Sequence, residues 1–446
     1  MLELVSSGLV GMWLNLSGVN TRDMSLAQAV TWQGLSWVNP PTPVAPKIEQ
    51  TIAQYLQTLK TQGLDPERQA VWLRTDSTML IDRNGTIPVS AASLTKTATS
   101  LATITIWGLD KKFDTIISAN GKINQGTLEG DLVIQGGGDP LFVWEDGIAL
   151  AQSLNQLGIN RVSGNLLVVD KFHMNYQADP QKAGGFLKQA LTGIKLPSGL
   201  LNTELKDVNF VKLPTAPTEA TTTLPQVAIL GKVIVTSTTP TGMTPLIRHQ
   251  SLPLVDIVRQ MNIYSNNEIA QMLADSVGGA EQVMKIASTT ANFPPAEIQL
   301  INGSGLGVEN RLSPRAISQI FRTLQQNLQP ANLNLADIFP VAGAEYIGTL
   351  KDRRLPIGTT MKTGTLNEVS AIGGVLPTRD RGLVWFVILN KGSQIAKLRQ
   401  QQDTLLQSLV NEWGQVTPTP LVVTKHNRPP AYFGDLARNI VIVPKP

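Results

Sequence analysis

Ser93-Leu94-Thr95-Lys96 sets a hydroxyl and an amine at helical spacing in a helix-patterned run, so both side chains stand on one face about a turn apart. This is the pairing of a serine nucleophile with a lysine base, provided that burial or a neighbouring cation keeps the amine neutral near pH 7. A helix N-terminus adds partial positive charge that favours an anion developing on the serine. Alone the pattern is weak, matched by chance about once or twice in this length on ordinary composition. A capping serine beside a solvated lysine explains it equally well.

Lys362-Thr363-Gly364-Thr365 lies in a strand-patterned run, and a chance Lys-Thr-Gly is expected only about 0.1 times in this length. The edge of such a strand can pair with an extended peptide, Lys362 can hold a carboxylate, and Gly364 lets a substrate backbone come close. The plain alternative is a surface lysine beside a bulge. Ser265-Asn266-Asn267 heads the helix that follows a long β-patterned region. Ser-x-Asn also occurs at Ser118-Asn120, Ser153-Asn155 and Ser163-Asn165, where caps and turns account for it. Only the order Ser-x-x-Lys, Ser-x-Asn, Lys-Thr-Gly promotes Ser265.

The composition leaves these residues little competition. With no cysteine, disulfides, iron–sulfur clusters, thiolate zinc sites and thiol nucleophiles drop out. His173, His249 and His426 are the whole histidine complement, and none is paired at helical spacing, which weakens metal sites and a His-based triad. A net charge of +4 over 37 basic and 33 acidic side chains gives no polyelectrolyte surface, so nucleic acid is not an expected partner. The apolar fraction of 42% over 446 residues suits a globular chain of two or three units. It excludes wholesale disorder and a multi-span membrane protein. The near-apolar run 5–20 is shorter than a span and follows Glu3, where a secretion signal carries Lys or Arg; it reads as a weak signal or a buried segment.

The elements that must position the motifs follow from periodicity. Residues 1–45 form an N-terminal segment ending in a proline-rich linker, 39–46. Ile48, Ile52, Tyr55, Leu56 and Leu59 predict a helix; residues 69–75 and 78–89 predict strands with Asn84-Gly85 as a turn; and a helix is expected from about Ser93 to Gly108. Residues 109–248 change texture to short β-patterned runs punctuated by Gly-rich turns, with a Thr/Pro-rich stretch at 214–225. Helices resume with Ile269, Met272, Leu273 and Val277 and again after Ser313-Pro314. Strands are expected at 359–366, 369–377 and 382–390, then an amphipathic helix from Ile395 to Trp413. The layout is α+β: one domain, 46–108 plus 249–415, interrupted by a β-rich inserted region, 109–248, with an unplaced tail, 416–446.

Together these motifs resemble the active-site-serine penicillin-binding proteins and serine β-lactamases, and most closely the D-alanyl-D-alanine carboxypeptidase/endopeptidases of the low-molecular-mass class C type. The long separation of Ser93 from Ser265 suits the inserted domains of that subgroup. Further similar stretches are Gly130-Asp131-Leu132, Gly138-Asp139-Pro140, Asn262, Gly303-Ser304-Gly305-Leu306, Gly348-Thr349-Leu350 and Val369-Ser370-Ala371. The resemblance spans about residues 46–415. It implies a β-lactamase/transpeptidase-like domain, an antiparallel sheet flanked by helices, and a serine-type D-Ala-D-Ala peptidase acting on peptidoglycan stem peptides with no metal and no organic cofactor.

By the same resemblance Ser93 forms the acyl-enzyme and Lys96 takes its proton. Ser265 relays a proton to the leaving amine, while Asn267 orients Lys96 and the substrate amide. Lys362 completes a cation pair that keeps Lys96 neutral and, with Thr363, Gly364 and Thr365, binds substrate. The oxyanion hole is the backbone N–H groups of Ser93 and Thr365. β-Lactams act as covalent inhibitors, and the place of action is periplasmic or extracytoplasmic, inferred from the substrate, with peripheral membrane contact left open. Three departures stand out: Asn266 where Asp is common, a position expected to matter less than Ser265 and Asn267; Asn302 where an Asp usually opens Asp-Gly-Ser-Gly-Leu; and Gly307-Val308 in place of Ser-Arg.

Two other functions share the fold. A β-lactamase needs fast deacylation, but no Glu is followed four residues later by Asn, so the Glu-x-x-x-Asn element of one major group is absent. A wall-binding scaffold would not need Ser93, Lys96, Ser265, Asn267 and Lys362 together. A nucleotide site at Gly303-x-Gly305-x-Gly307 or Gly136-Gly137-Gly138 lacks the strand-to-helix context, and a turn is the better reading.

Overall fold

β-Strands whose every position is apolar or small need helices on both faces, and residues 369–377 and 382–389 have that character. A computed structural model describes residues 46–193, 224–428 and 432–442. The run 5–20, nearly all of the proline-rich segment and most of the Thr/Pro-rich stretch lie outside the described residues. The chain begins with α1 (Pro46–Thr61), a hairpin of β1 (Gln69–Arg74) and β2 (Met79–Arg83), the short β3 (Val89–Ser90) and α2 (Thr95–Trp107). It then runs through β4 (Asp114–Asn124), β5 (Thr127–Gly137), α3 (Trp144–Gln156), β6 (Arg161–Val162), β7 (Leu166–Lys171), α4 (Pro180–Thr192), β8 (Ala228–Ile229), β9 (Val233–Thr236) and β10 (Thr244–Gln250). Next come α5 (Leu254–Tyr264), α6 (Asn267–Ser276), α7 (Gly279–Thr290), β11 (Ile298–Gln299), β12 (Arg311–Leu312) and α8 (Pro314–Leu328). Last are β13 (Thr360–Leu366), β14 (Val369–Thr378), β15 (Gly382–Lys391), α9 (Ile395–Trp413) and, in the tail, β16 (Asn439–Val441).

The central sheet is antiparallel in the order β13-β14-β15-β1-β2. In β15 alternate residues serve two cores. Val384, Phe386 and Ile388 pack with Ile52, Leu59, Leu398 and Leu406 under α1 and α9. Trp385, Val387 and Leu389 pack with Leu101, Val258, Leu273 and Phe321 under α2, α5, α6 and α8. β13 is left at an edge of this sheet. The three expected strands and the closing helix occur within a residue or two of their expected bounds, and Ser313 caps α8 by accepting from the Ala316 N–H at 3.0 Å.

Asn84-Gly85 forms a turn as expected, which divides the run 78–89 into β2 and β3, with the Ile87 N–H donating to the Asn84 carbonyl at 3.2 Å. Asn84, in the left-handed region at φ 53°, ends β2 by donating to the carbonyls of Glu67 and Gln69.

The stretch from β4 to β10 builds a second sheet with its own core of Ile117, Leu132, Leu150, Leu166, Val168 and Leu187. It also contains two helices that the sequence reading did not anticipate, α3 and α4. They have a topological cause: β5 pairs in parallel with β6 and β7, and β7 with β9, and parallel neighbours require a crossover, usually helical. The tail finds its place here, with β16 pairing antiparallel to β10. No helix among the described residues is long and apolar enough to cross a membrane.

Candidate active site

Ser93 sits in a 3-10 turn, Ala92–Leu94, that leads directly into α2. Ala92 is buried and left-handed at φ 47°, a conformation that costs a non-glycine residue energy and persists only where its surroundings enforce it. The enforcement is visible: the Ala91 N–H donates to the Asn310 carbonyl at 3.1 Å, and β12 pairs with β3 just upstream. The result holds the half-buried Ser93 at the head of α2 with Lys96 one turn further on.

The Lys96 amine is buried and has three partners: Ser93 Oγ at 3.0 Å, Asn267 Oδ1 at 2.7 Å and the Ser304 carbonyl at 2.6 Å. All three are uncharged. Burial pulls the Lys96 pKa down to about 7, opposed by the exposed Glu268 nearby, which raises it. Lys362 is also fully buried; its amine donates to Ser265 Oγ at 2.9 Å and to the Thr363 carbonyl at 2.7 Å. Burial, and then the positive charge of Lys96, hold Lys362 well below the usual lysine range. Burial thus works against the standing cation at Lys362 that the resemblance implies. Each of these two buried lysines therefore gives up its proton more readily than a lysine in water.

Ser265-Asn266-Asn267 heads α6 as expected, directly after α5. Ser265 is the joint between the two helices, left-handed at φ 55°, and that kink turns its hydroxyl to Lys362. Asn266 supplies the N-cap of α6, its Oδ1 accepting from the Ile269 N–H at 2.8 Å. Asn and Asp are near-equal caps, which accounts for Asn where Asp is common. Asn267 is the first residue of α6 and so faces α2 and Lys96. Asn262 in α5 donates to Ser100 Oγ and to the Ile338 carbonyl, fastening α5 to α2.

Gly364 lets the edge strand reach the serine. A Cβ at that position would lie 2.9 Å from both the Ser93 nitrogen and the Ala91 carbonyl oxygen, so any side chain would push β13 away. The structure thus brings Ser93, Lys96 and Asn267 into one hydrogen-bonded group, and Ser265, Lys362 and Thr363 into another. Contact of Gly364 with the Ser93 turn joins the two groups. Thr365, next along β13, is exposed.

One participant was missed. The Ser304 carbonyl, 2.6 Å from Lys96, belongs to a turn that Asn302 organises by accepting from the Ser304 and Gly305 N–H groups and donating to the Leu306 carbonyl. The last bond needs an amide and could not be made by a carboxylate, so Asn302 is fitted to this loop. Gly303-Ser304-Gly305 was visible in the sequence, but a backbone carbonyl carries no residue signature. Among the described residues no three His, Asp or Glu side chains converge into a metal site.

The sequence profile of the D-Ala-D-Ala carboxypeptidase 3 (S13) family matches residues 51–186 and 224–411, stretches that contain every residue of both hydrogen-bonded groups. This chain belongs to that family. It is a peptidase of the D-Ala-D-Ala carboxypeptidase type. Among relatives, the S13 chain is 24% identical over 355 residues to a carboxypeptidase of Mycobacterium tuberculosis, covering 72% of this chain and 73% of the relative. It is 22% identical over 392 residues to the D-alanyl-D-alanine carboxypeptidase DacB of Haemophilus influenzae, covering 68% and 80%. Among solved structures it is similar to a penicillin G-acylated predatory endopeptidase of Bdellovibrio bacteriovorus, with TM-score 0.67, 20% identity and coverage of 83% and 98%. It is also similar to penicillin binding protein 4 of Haemophilus influenzae, with TM-score 0.59, 20% identity and coverage of 81% and 99%. The likeness to these structures shows that they share the α+β fold described above.

Proposed function

We propose that this S13 peptidase cleaves D-Ala-D-Ala or related bonds of peptidoglycan stem peptides through an acyl-enzyme on Ser93. The observation that carries the reading is the partner set of Lys96. Asn267 Oδ1 and the Ser304 carbonyl can only accept hydrogen bonds, whereas the Ser93 hydroxyl can donate or accept. A neutral amine has two N–H bonds and one lone pair. The two obligate acceptors take the N–H bonds, so the lone pair is left for the Ser93 proton.

In the forward step Ser93 Oγ bonds to the substrate carbonyl carbon and its proton passes to Lys96. The carbonyl oxygen takes the negative charge against the N–H groups of Ser93 and Thr365, each such donor contributing about 3 kcal/mol in comparable hydrolases. The C–N bond then breaks as the leaving amine receives a proton through Ser265 from the lysine pair. Water attacks the ester, returns the proton and frees Ser93. A substrate carboxylate arriving at Lys362 favours the charged form of that amine, and the charge in turn favours a neutral Lys96.

Stem peptides of the wall lie outside the cytoplasmic membrane, and the enzyme is placed there by its substrate. The second sheet, β4 to β10, is read as a separate unit that shapes access to the cleft. A β-lactam carries a cyclic amide that Ser93 would open in the same way. Intact-mass measurement after brief exposure to benzylpenicillin tests the reading. A lasting adduct on the wild type and none on Ser93→Ala is expected. Rapid drug turnover without an adduct would instead indicate a β-lactamase, and no reaction a scaffold.

A further inference from the structure

We propose that Asn310 is a positioning residue for the proton transfer: it holds the Ser304 carbonyl on Lys96 and keeps the Ser93 turn in place beside it. The proposal rests on the reading of Ser93 and Lys96 as nucleophile and base.

Asn310 is fully buried, and all four hydrogen-bonding positions of its side-chain amide are used. Its Oδ1 accepts from the Ile301 and Asn302 N–H groups at 3.0 and 3.2 Å, and its Nδ2 donates to the Leu306 and Gly307 carbonyls at 3.0 and 3.2 Å. A single amide therefore staples the entry of the turn 301–307 to its exit. The backbone carbonyl of the same residue accepts from the Ala91 N–H at 3.1 Å. Asn310 thus joins the turn that carries Ser304 to the turn that carries Ser93.

The first of these turns depends on polar ties. Its large apolar side chains, Ile301 and Leu306, are 56% and 59% exposed, so burial does little to anchor them. In the middle, Gly303 is fastened to α2 by Thr99 Oγ1, which donates to its carbonyl at 2.7 Å, and to α6 by Gln271 Oε1, which accepts from its N–H at 3.1 Å. These bonds fix one point about which the ends can still pivot. Little displacement is tolerable, because a Cβ at Gly305 would lie 1.9 Å from the Ala92 carbonyl oxygen, so the two turns already touch. The Ser304 carbonyl is one of the two obligate acceptors around Lys96. If it swings away, the neutral amine is free to turn an N–H toward Ser93 Oγ, and its lone pair no longer awaits the serine proton.

The test compares wild type, Asn310→Ala and Asn310→Asp with Asn334→Ala as a matched control. Asn334 is also a buried amide that ties chain segments together, donating to the Leu421 and Thr424 carbonyls and accepting from the Ala336 N–H, but none of its partners is an active-site residue. On a D-Ala-D-Ala peptide Asn310→Ala should lower kcat by roughly 100-fold, the scale for a misplacement of about 1 Å, with KM within a few-fold. The acidic limb of its pH profile, near 7 in the wild type, should move to lower pH, because the charged lysine loses an acceptor. Asn334→Ala should lower the thermal midpoint but leave kcat and the limb where they are. Asn310→Asp retains the two accepted bonds but cannot donate to Leu306 and Gly307, and should lose most of the same kcat; it decides the matter if Asn310→Ala does not fold. Folded Asn310 variants with wild-type kcat and an unmoved limb, differing from wild type only in thermal midpoint as the control does, would overturn the proposal. A wild type that neither cleaves the peptide nor forms a benzylpenicillin adduct would bring down the reading of Ser93 and Lys96 itself, before any Asn310 variant is compared.

Discussion

Two of the regions that bury cations treat them in opposite ways. Where the tail meets the second sheet, Arg438 donates to Asp146 at 2.7 Å, to the Gln250 carbonyl and to His249 Nε2 at 3.1 Å. His249 Nδ1 in turn contacts Asn439 Oδ1 at 2.7 Å, and burial followed by the Arg438 charge pushes its pKa down to about 4, so the ring stays neutral. Here the cation meets a carboxylate at hydrogen-bond distance. At the active site two lysines are buried with hydroxyl, amide and carbonyl partners and no carboxylate. A counterion would favour the charged lysines; without one, burial lowers both pKa values, that of Lys96 to about 7. The same physical element, a buried basic side chain, is ion-paired in one place and held by uncharged partners in the other, and on the proposed mechanism that difference separates a structural role from a chemical one.

The contrast can be broken most severely at the serine pair. Ser93→Ala or Lys96→Ala should lower kcat/KM on a D-Ala-D-Ala peptide by roughly 10⁴-fold or more, the scale for losing one member of a catalytic unit, with little change in denaturant midpoint for Ser93→Ala. At the junction the expected loss is of stability. Asp146→Asn leaves Arg438 buried without its partner and should cost about 3–5 kcal/mol in urea unfolding, while benzylpenicillin acylation of the folded fraction persists.

Giving the site a counterion sharpens the comparison. In the wild type, kcat/KM should climb with pH through about 7 as Lys96 loses its proton. Asn267→Asp should move that climb upward by about one to three pH units, because a nearby anion favours the charged lysine. Stability should respond in parallel. The folded wild type binds fewer protons at Lys96 than the unfolded chain between pH of about 7 and the ordinary lysine value near 10.4. Its stability therefore rises with pH across that window, and Asn267→Asp should flatten the rise. The smallest effect is at Asn266: Asn266→Ala should cost about 1 kcal/mol as a lost N-cap, measured by thermal unfolding, whereas Asn266→Asp should be nearly neutral.

Much of the site was legible because its side chains come in short motifs whose spacing already implies a shared face. Lys96 follows Ser93 by one turn, and Lys362, Thr363 and Gly364 are consecutive on one strand, so local geometry alone brings them close. What was not legible depends on contacts that leave no local mark. Ser304 contributes a backbone carbonyl, which any residue possesses. Ser265 adopts a left-handed conformation without being glycine, so nothing announced the joint between α5 and α6. The helices α3 and α4 lie among strong turn signals and are demanded by parallel pairing, a property of the whole sheet. β16 has only three residues and pairs with a strand far back in the chain, beyond the reach of any periodicity.

That returning tail changes how the second sheet can be handled. The backbone passes between the two sheets three times: from α2 into β4, from β10 into α5, and again after residue 428, where Arg428 is still held to Asp256 at 2.5 Å on the near side. A protease that nicked either of the first two passages would leave the halves clasped, so a cleaved preparation should run as one particle until denatured. Genetic excision of 109–248 is the harder operation. It would strip β16 of its neighbour, bare Ile440 and Val441 further, and strand Arg438 without Asp146. A clean removal must take residues 432–446 as well, and the second sheet is best treated as a part of this enzyme with two stretches of sequence rather than as a cassette with one.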